Sequence, residues 1–206
     1  YKDPREYIKD YGVDAVRYFA LREVPFGNDG AFSEEALINR TNSDLVNNLG
    51  NLVNRTISMS HKYFDGIVVK KNLNDELDNE LINSVTELHF KVDKAMNSLH
   101  VDDALNEIFD TLRKCNKYID EATPWVLAKD ETKRDKLATV MYNLLESIRI
   151  CTVLLSPFIP TTAEKIFKQL NCDGRSIESI KEFGYLTDGS KLNEPIHLFD
   201  RIEINK

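Results

Sequence analysis

Two short segments carry side chains suited to reading a flat, polar ligand. The first is Asn51-Leu52-Val53-Asn54-Arg55; the second is Asp120-Glu121-Ala122-Thr123-Pro124-Trp125, which ends in the single tryptophan of the chain. Asn51 and Arg55 stand four apart, so on a helix they share a face. An amide offers both a donor and an acceptor, and a guanidinium offers a rigid fork that pairs with a base edge or stacks on it. A tryptophan ring is a stacking platform worth about 1–3 kcal/mol per base, and the preceding Pro124 reduces the ordering cost of using it. Asp120 can accept from a cytosine amino group, repel a phosphate or cap the next turn. Together these are the groups needed to read exposed bases on single-stranded RNA. Each also has a plain structural reading. Asn51 can bond to a neighbouring helix, Arg55 can form a surface ion pair, and Trp125 can plug the core where a helix turns over. Asn39, Asn42, Asn47, Asn48 and Asn54 lie nearby, which dilutes the case for any one asparagine. The alternative function is therefore a structural or protein-interaction bundle with a buried tryptophan.

Other chemistries fare worse. The four histidines, His61, His89, His100 and His197, lack neighbours at metal-site or nucleophile spacing. Gly27-Asn28-Asp29-Gly30 lacks the strand and lysine of a phosphate loop. The pairs Glu34-Glu35 and Asp102-Asp103 read as helix-start residues. No catalytic residue, metal site or cofactor is expected within these residues. Cys115, Cys151 and Cys172 are too widely spaced for a zinc knuckle and read as free thiols of a reducing, cytoplasmic protein.

The chain has 206 residues, 42% hydrophobic and 30% charged, enough for a proper core. Its net charge of −7 argues against general polyanion binding, DNA included, and leaves room for a few placed contacts. No uninterrupted apolar run suggests a membrane span, and no signal peptide is visible. The chain opens at Tyr1 and reads as a piece of a longer protein.

Helices must position these groups. Asp3-Pro4-Arg5-Glu6 reads as a helix start with a capping box, stopping at Gly12. A second helix is expected over 13–23, with Val16, Phe19 and Ala20 inward and Pro25 ending it. Phe26 to Gly30 reads as a turn-rich loop. Ser33 caps a helix expected to run unbroken over 34–64, where Gly50 marks a close helix crossing or a kink. Further helices are expected over 75–99, 101–121 and 131–155, and a last one capped by Thr161 or Thr162 ends near Leu170. The fold class is all-α, an antiparallel helical bundle. An irregular tail from 171 onward folds back on it, with a short strand or turn near Ile196 to Phe199.

At this point three motifs meet a known family. Phe26-Gly27-Asn28-Asp29-Gly30-Ala31-Phe32-Ser33, Asn51 to Arg55, and Asp120 to Lys129 closely resemble bacterial methionyl-tRNA synthetases, as do Tyr11 to Tyr18 and Glu194 to Arg201. The resemblance implies a class Ia anticodon-binding half without the catalytic domain. It implies a stem-contact region over 1–30, the anticodon-binding bundle over 31–170 and a C-terminal tail over 171–206. It gives Trp125 the cytosine of the CAU anticodon to stack on, Asn51 and Arg55 roles in reading it, and Asp120 a weaker, discriminating role. Arg5, Arg17 and Arg22 are candidates for tRNA stem or domain-interface contacts. The implied partners are the anticodon loop of methionine tRNA and the catalytic domain of the same polypeptide. ATP and the family's often zinc-bound knuckle would belong to that other part. Expressed alone, the region 1–30 is expected to leave an apolar surface around Tyr7, Tyr11, Tyr18 and Phe19.

Overall fold

The computed structural model describes residues 2–23 and 32–204, and among them every regular element is helical. The chain runs α1 (Pro4–Tyr11), α2 (Val13–Glu23), α3 (Glu34–Arg40), a π-wound segment (Thr41–Gly50) and α4 (Asn51–Phe64). It continues through α5 (Glu76–Asn97), α6 (Val101–Ala122), the short α7 (Pro124–Leu127), α8 (Arg134–Leu155) and α9 (Pro160–Leu170). The loop at Phe26 to Gly30 and the stop at Pro25 lie outside the described residues.

At the centre is α8, where every residue from Leu137 to Leu155 is buried. It packs against α4, α5, α6 and α9. The stretch Glu131–Leu155 reaches a mean hydropathy of 1.3 over an 18-residue window because its whole circumference faces protein. Two opposite charges survive there. Arg149 donates to Glu146, and both side chains are fully buried. The irregular segment beyond α9 completes their bonding. Gly174 O and Ser179 O accept from Arg149 at 2.9 and 2.8 Å. The Gly184 N–H donates to Glu146 at 2.7 Å. The pair thus clasps the tail to the central helix, and Ile180, Leu186 and Leu192 bury themselves alongside. Val68 N–H donates to Ser190 O and Leu192 N–H to Gly66 O, around an isolated antiparallel bridge between Ile67 and Lys191. The expected strand or turn at Ile196 to Phe199 does not form. That segment makes no backbone hydrogen bond among the described residues, and Leu198 and Phe199 pack against the core.

Several local expectations need correction. α2 buries Asp14, Ala15, Tyr18 and Phe19, while Ala20 is exposed and Val16 only half-buried. The face is rotated because two polar residues find partners inside. Asp14 accepts from Thr162 Oγ1 at 2.7 Å, and Tyr18 donates to the buried Asp44 at 2.5 Å. The same packing covers part of the apolar surface expected around residues 1–30, although Ile8 and Val13 stay exposed. Tyr18 and Phe19 are buried, and Tyr7 and Tyr11 are half-buried. Thr162 therefore faces inward and caps nothing, because Pro160 opens α9. Asp3 does cap α1, but it accepts from Arg5 N–H, with no side-chain return from Glu6 among the described bonds. The reciprocal box occurs instead at Asp75 and Asp78, starting α5.

The stretch 34–64 is continuous but not uniformly α. Its middle is π-wound, and Asn51 N–H still reaches back five residues to Val46 O. Gly50 sits at that junction. A Cβ placed there would stand 2.9 Å from Leu45 O, and no atom of another described element comes within 4 Å. Its glycine serves the wider winding and not a helix crossing.

Candidate nucleic-acid interface

α4 begins at Asn51. Leu52, Val53, Thr56 and Ile57 are buried, so the 3.6-residue period leaves Asn51 and Asn54 exposed and Arg55 at the edge. From that edge Arg55 Nη2 donates to Asp120 Oδ1 at 3.0 Å. Asp120 belongs to the last turn of α6, just after the buried Tyr118 and Ile119. The α4 and α6 segments thus meet at one ion pair, with side-chain exposures of 28% for Arg55 and 67% for Asp120.

Both helices are fixed behind that pair. Asn48 donates to Phe109 O at 3.0 Å, and Asn116 donates to Asn48 Oδ1 at 3.0 Å, tying the π-wound segment to α6. Tyr118 donates to the buried Asp78 at 2.5 Å, which also takes Lys136. Burial first, then the Asp78 carboxylate, push the Tyr118 hydroxyl far above its usual range. Lys136 also reaches Asp75 at 3.0 Å, and that contact holds the Asp75 carboxyl below the ordinary carboxylate range.

Three residues past Asp120 the chain changes direction. Thr123 adopts φ +48, a left-handed conformation uncommon for a β-branched residue, and Pro124 opens α7. Pro124 is buried, whereas Trp125 keeps 39% of its surface open and Val126 keeps 51%. A tryptophan continuing α6 would have met the core; the turn carries it to the surface. The core-plug reading of Trp125 is therefore not what the fold does. The structure joins Arg55 with Asp120, places Asn51 one turn along the same face, and puts Trp125 in the turn that follows.

Beside Asn51 lies a feature that the sequence did not disclose. A groove of about 460 Å³ runs between the helix at Val46 to Asn54 and the extended segment Ile196 to Phe199. Its one sequence signal was the spacing of Asn47, Asn51 and Asn54, four and three apart. The three early arginines each have a partner within the chain. Arg17 donates to Phe158 O at 3.0 Å, Arg22 to Asn106 at 2.7 Å, and Arg5 pairs with its neighbour Asp3. Arg17 and Arg22 thereby fasten α2 to the bundle. His100, Asp102 and Asp103 do converge, with ligand atoms within 4.8 Å of one another. None of the three is buried, and the acids sit where the α6 N-terminus favours them.

Residues 68–206 match the family described as the anticodon binding domain of methionyl tRNA ligase. The chain belongs to that family. Residues 2–57 match a second family, the class I tRNA synthetases of the methionine type. The two matches meet across the Arg55–Asp120 pair, one partner in each. Methionine–tRNA ligase of Caldanaerobacter subterraneus is 52% identical over 99% of this chain, and that of Bacillus subtilis is 45% identical over 98%. The chain spans about a third of these relatives, 32% and 31% of their lengths. The free-state crystal structure of Mycobacterium tuberculosis methionyl-tRNA synthetase superposes with a TM-score of 0.92 at 36% identity, covering 99% of this chain and 42% of that one. Membership in the anticodon-binding family fits a helical bundle that joins Arg55 to Asp120 and leaves Asn51 and Trp125 exposed.

Proposed function

We propose that this chain reads the CAU anticodon of methionine tRNA for a longer ligase polypeptide. The observation that carries the reading is the exit of α6. The left-handed Thr123 and the buried Pro124 turn Trp125 out to solvent just beyond the Arg55–Asp120 pair. In this reading Trp125 stacks on the cytosine, and Asn51 and Arg55 supply hydrogen bonds to its edge. Asp120 holds Arg55 in place before RNA arrives and disfavours loops that cannot compete for it. The remaining polypeptide carries out ATP-dependent attachment of methionine in the cytoplasm. Residues 1–30 join the bundle to that part, with Arg17 and Arg22 as anchors, and residues 171–206 brace the bundle.

An anticodon stem-loop tests this directly. The chain is expected to prefer CAU over a loop with another first base, and Trp125→Ala to lose that preference. Equal affinity for both loops, or an unchanged preference in Trp125→Ala, would end the RNA-reading claim.

A further inference from the structure

The residues buried along α4 and the segment before it follow a spacing that an α-helix does not hold. Thr41, Leu45, Leu49, Val53 and Ile57 form one buried row spaced by four, and Asp44, Asn48 and Leu52 begin a second. Four residues of α-helix overshoot one turn by about 40°, so the three steps from Thr41 to Val53 would carry the row about 120° around the axis. The π-wound Thr41–Gly50 takes up that excess, because its bonds span five residues. Asn51 and Arg55 stand four apart in the same progression, so the winding upstream sets where they point. Three residues hold that winding. At Gly50 a Cβ would stand 2.9 Å from Leu45 O. Asn48 is buried and donates to Phe109 O at 3.0 Å. Asn116 on α6 donates to Asn48 Oδ1 at 3.0 Å and to Asn48 O at 3.2 Å, a carbonyl of the last π turn. The buried Oδ1 of Asn116 has no partner among the described residues, a cost that an apolar side chain would avoid.

We infer that Asn48, Gly50 and Asn116 are positioning residues: they hold the π winding that turns Arg55 toward Asp120. The inference rests on the RNA reading proposed above and names residues that act through Arg55 and Asn51. A purely α-wound segment that buried the same upstream row would rotate α4 about its axis and take Arg55 away from α6. Asn116 lies one turn before Asp120, so one face of α6 both clamps the winding and receives the arginine that the winding aims. The clamp acts on the turn just before Asn51, where the Asn51 N–H reaches back to Val46 O and Asn48 O. Loosening it frees the rotation of α4 and leaves Asn51, Arg55, Asp120 and Trp125 all present.

The test places Asn116→Leu, which keeps the bulk and removes the donors, in the 206-residue chain with Arg55 intact and with Arg55→Ala. The probe is a CAU anticodon stem-loop. Asn116→Leu is expected to weaken binding about tenfold, the lower end of what a hydrogen bond to a charged group is worth, and to cause almost no further loss once Arg55 is gone. Gly50→Ala should do the same at a temperature where circular dichroism shows it folded. In the RNA-free chain the Arg55 Nε–H resonance should move in both variants. A merely structural role would lower affinity equally in the two Arg55 backgrounds. That result, or wild-type affinity in both variants while Arg55→Ala is impaired, overturns the positioning role and leaves the anticodon reading standing. No preference for CAU in the wild-type chain removes the anticodon reading, and an unmoved Arg55 resonance removes the positioning role independently of RNA.

Discussion

The Arg55–Asp120 pair makes a quantitative prediction. Its partners are 3.0 Å apart, but Asp120 is 67% exposed, so the pair is a surface one. Such pairs contribute about 0.2–1 kcal/mol. An RNA group that takes the Arg55 fork must share or displace Asp120 and lose up to that amount. Asp120→Ala should therefore tighten binding of a CAU stem-loop by about 1.4- to 5-fold. Arg55→Ala removes a charge-assisted hydrogen bond worth about 1.5–3 kcal/mol, so affinity should fall about 10- to 150-fold. In the Arg55→Ala background, Asp120→Ala should yield less, because only carboxylate–phosphate repulsion remains to be relieved. Fluorescence anisotropy of a labelled stem-loop near 0.1 M salt measures all four corners of the cycle. Thermal midpoints should barely move in any of them. An equal gain from Asp120→Ala with and without Arg55 would refute the idea that the two compete. A loss from Asp120→Ala as large as that from Arg55→Ala would instead make Asp120 an RNA contact.

Trp125→Ala should lower stem-loop affinity by about 5- to 150-fold, the worth of one base stack. Its effect on thermal stability should be clearly smaller than that of Leu52→Ala, where a fully buried side chain is truncated at about 2–5 kcal/mol. Gly50→Ala should destabilise the chain although alanine is the better α-helix former by about 1 kcal/mol, because its Cβ would press on Leu45 O at 2.9 Å; a raised melting midpoint would show that the π winding is not what needs this glycine. Stability should also fall at alkaline pH. Burial pushes the Cys115 thiol up to about 12, and burial with Glu34 pushes Tyr11 up to about 12, while Tyr18 and Tyr118 go higher still. The unfolded chain releases these protons first, from about pH 8.5 for a thiol and about pH 10 for a phenol. Between the ordinary and the raised values the folded state therefore holds more protons, and stability declines as pH rises. Urea midpoints that stay flat from about pH 8 to pH 11 would contradict the burial assigned to these groups.

How far the sequence could be read depended on whether burial followed polarity. The long helices were legible because their apolar residues recur at three and four, as Leu81, Val85, Leu88 and Val92 do along α5. α2 was misread because Asp14 and Tyr18 are inside, and their partners Thr162 and Asp44 lie 148 and 26 residues away. No local pattern carries such pairings. The π winding before Asn51 left one trace, Gly50, which the pattern could not tell from a crossing point. Arg55 was legible as an ion-pair former, but its partner 65 residues on was not. The wall formed by Ile196 to Phe199 was hidden most completely. It has no periodicity, and the bonds that flank it run from Asn193 to Lys168 and from Ile202 to Asn42, far apart in sequence.

The charge balance and the rigidity of the site belong to one argument. With a net charge of −7 and Arg55 already paired to Asp120, the face around Arg55 gains little from counterion release. Selectivity must then come from stacking and amide hydrogen bonds, which repay only if the groups wait in position. The fold supplies that order before any ligand arrives. Asn48 and Asn116 lock the π-wound segment to α6, Tyr118, Asp78 and Lys136 lock the end of α6 to α5 and α8, and Pro124 fixes the entry to Trp125. The buried Glu146–Arg149 pair extends the same principle to the tail. Breaking a pair of this kind by removing one partner typically costs about 3–5 kcal/mol, and further along the tail Asn193 donates to Lys168 O at 2.7 Å and the Ile202 N–H donates to Asn42 at 2.8 Å, on either side of Ile196 to Phe199. A weakly charged surface can select one loop among many when its few polar groups are fixed in this way.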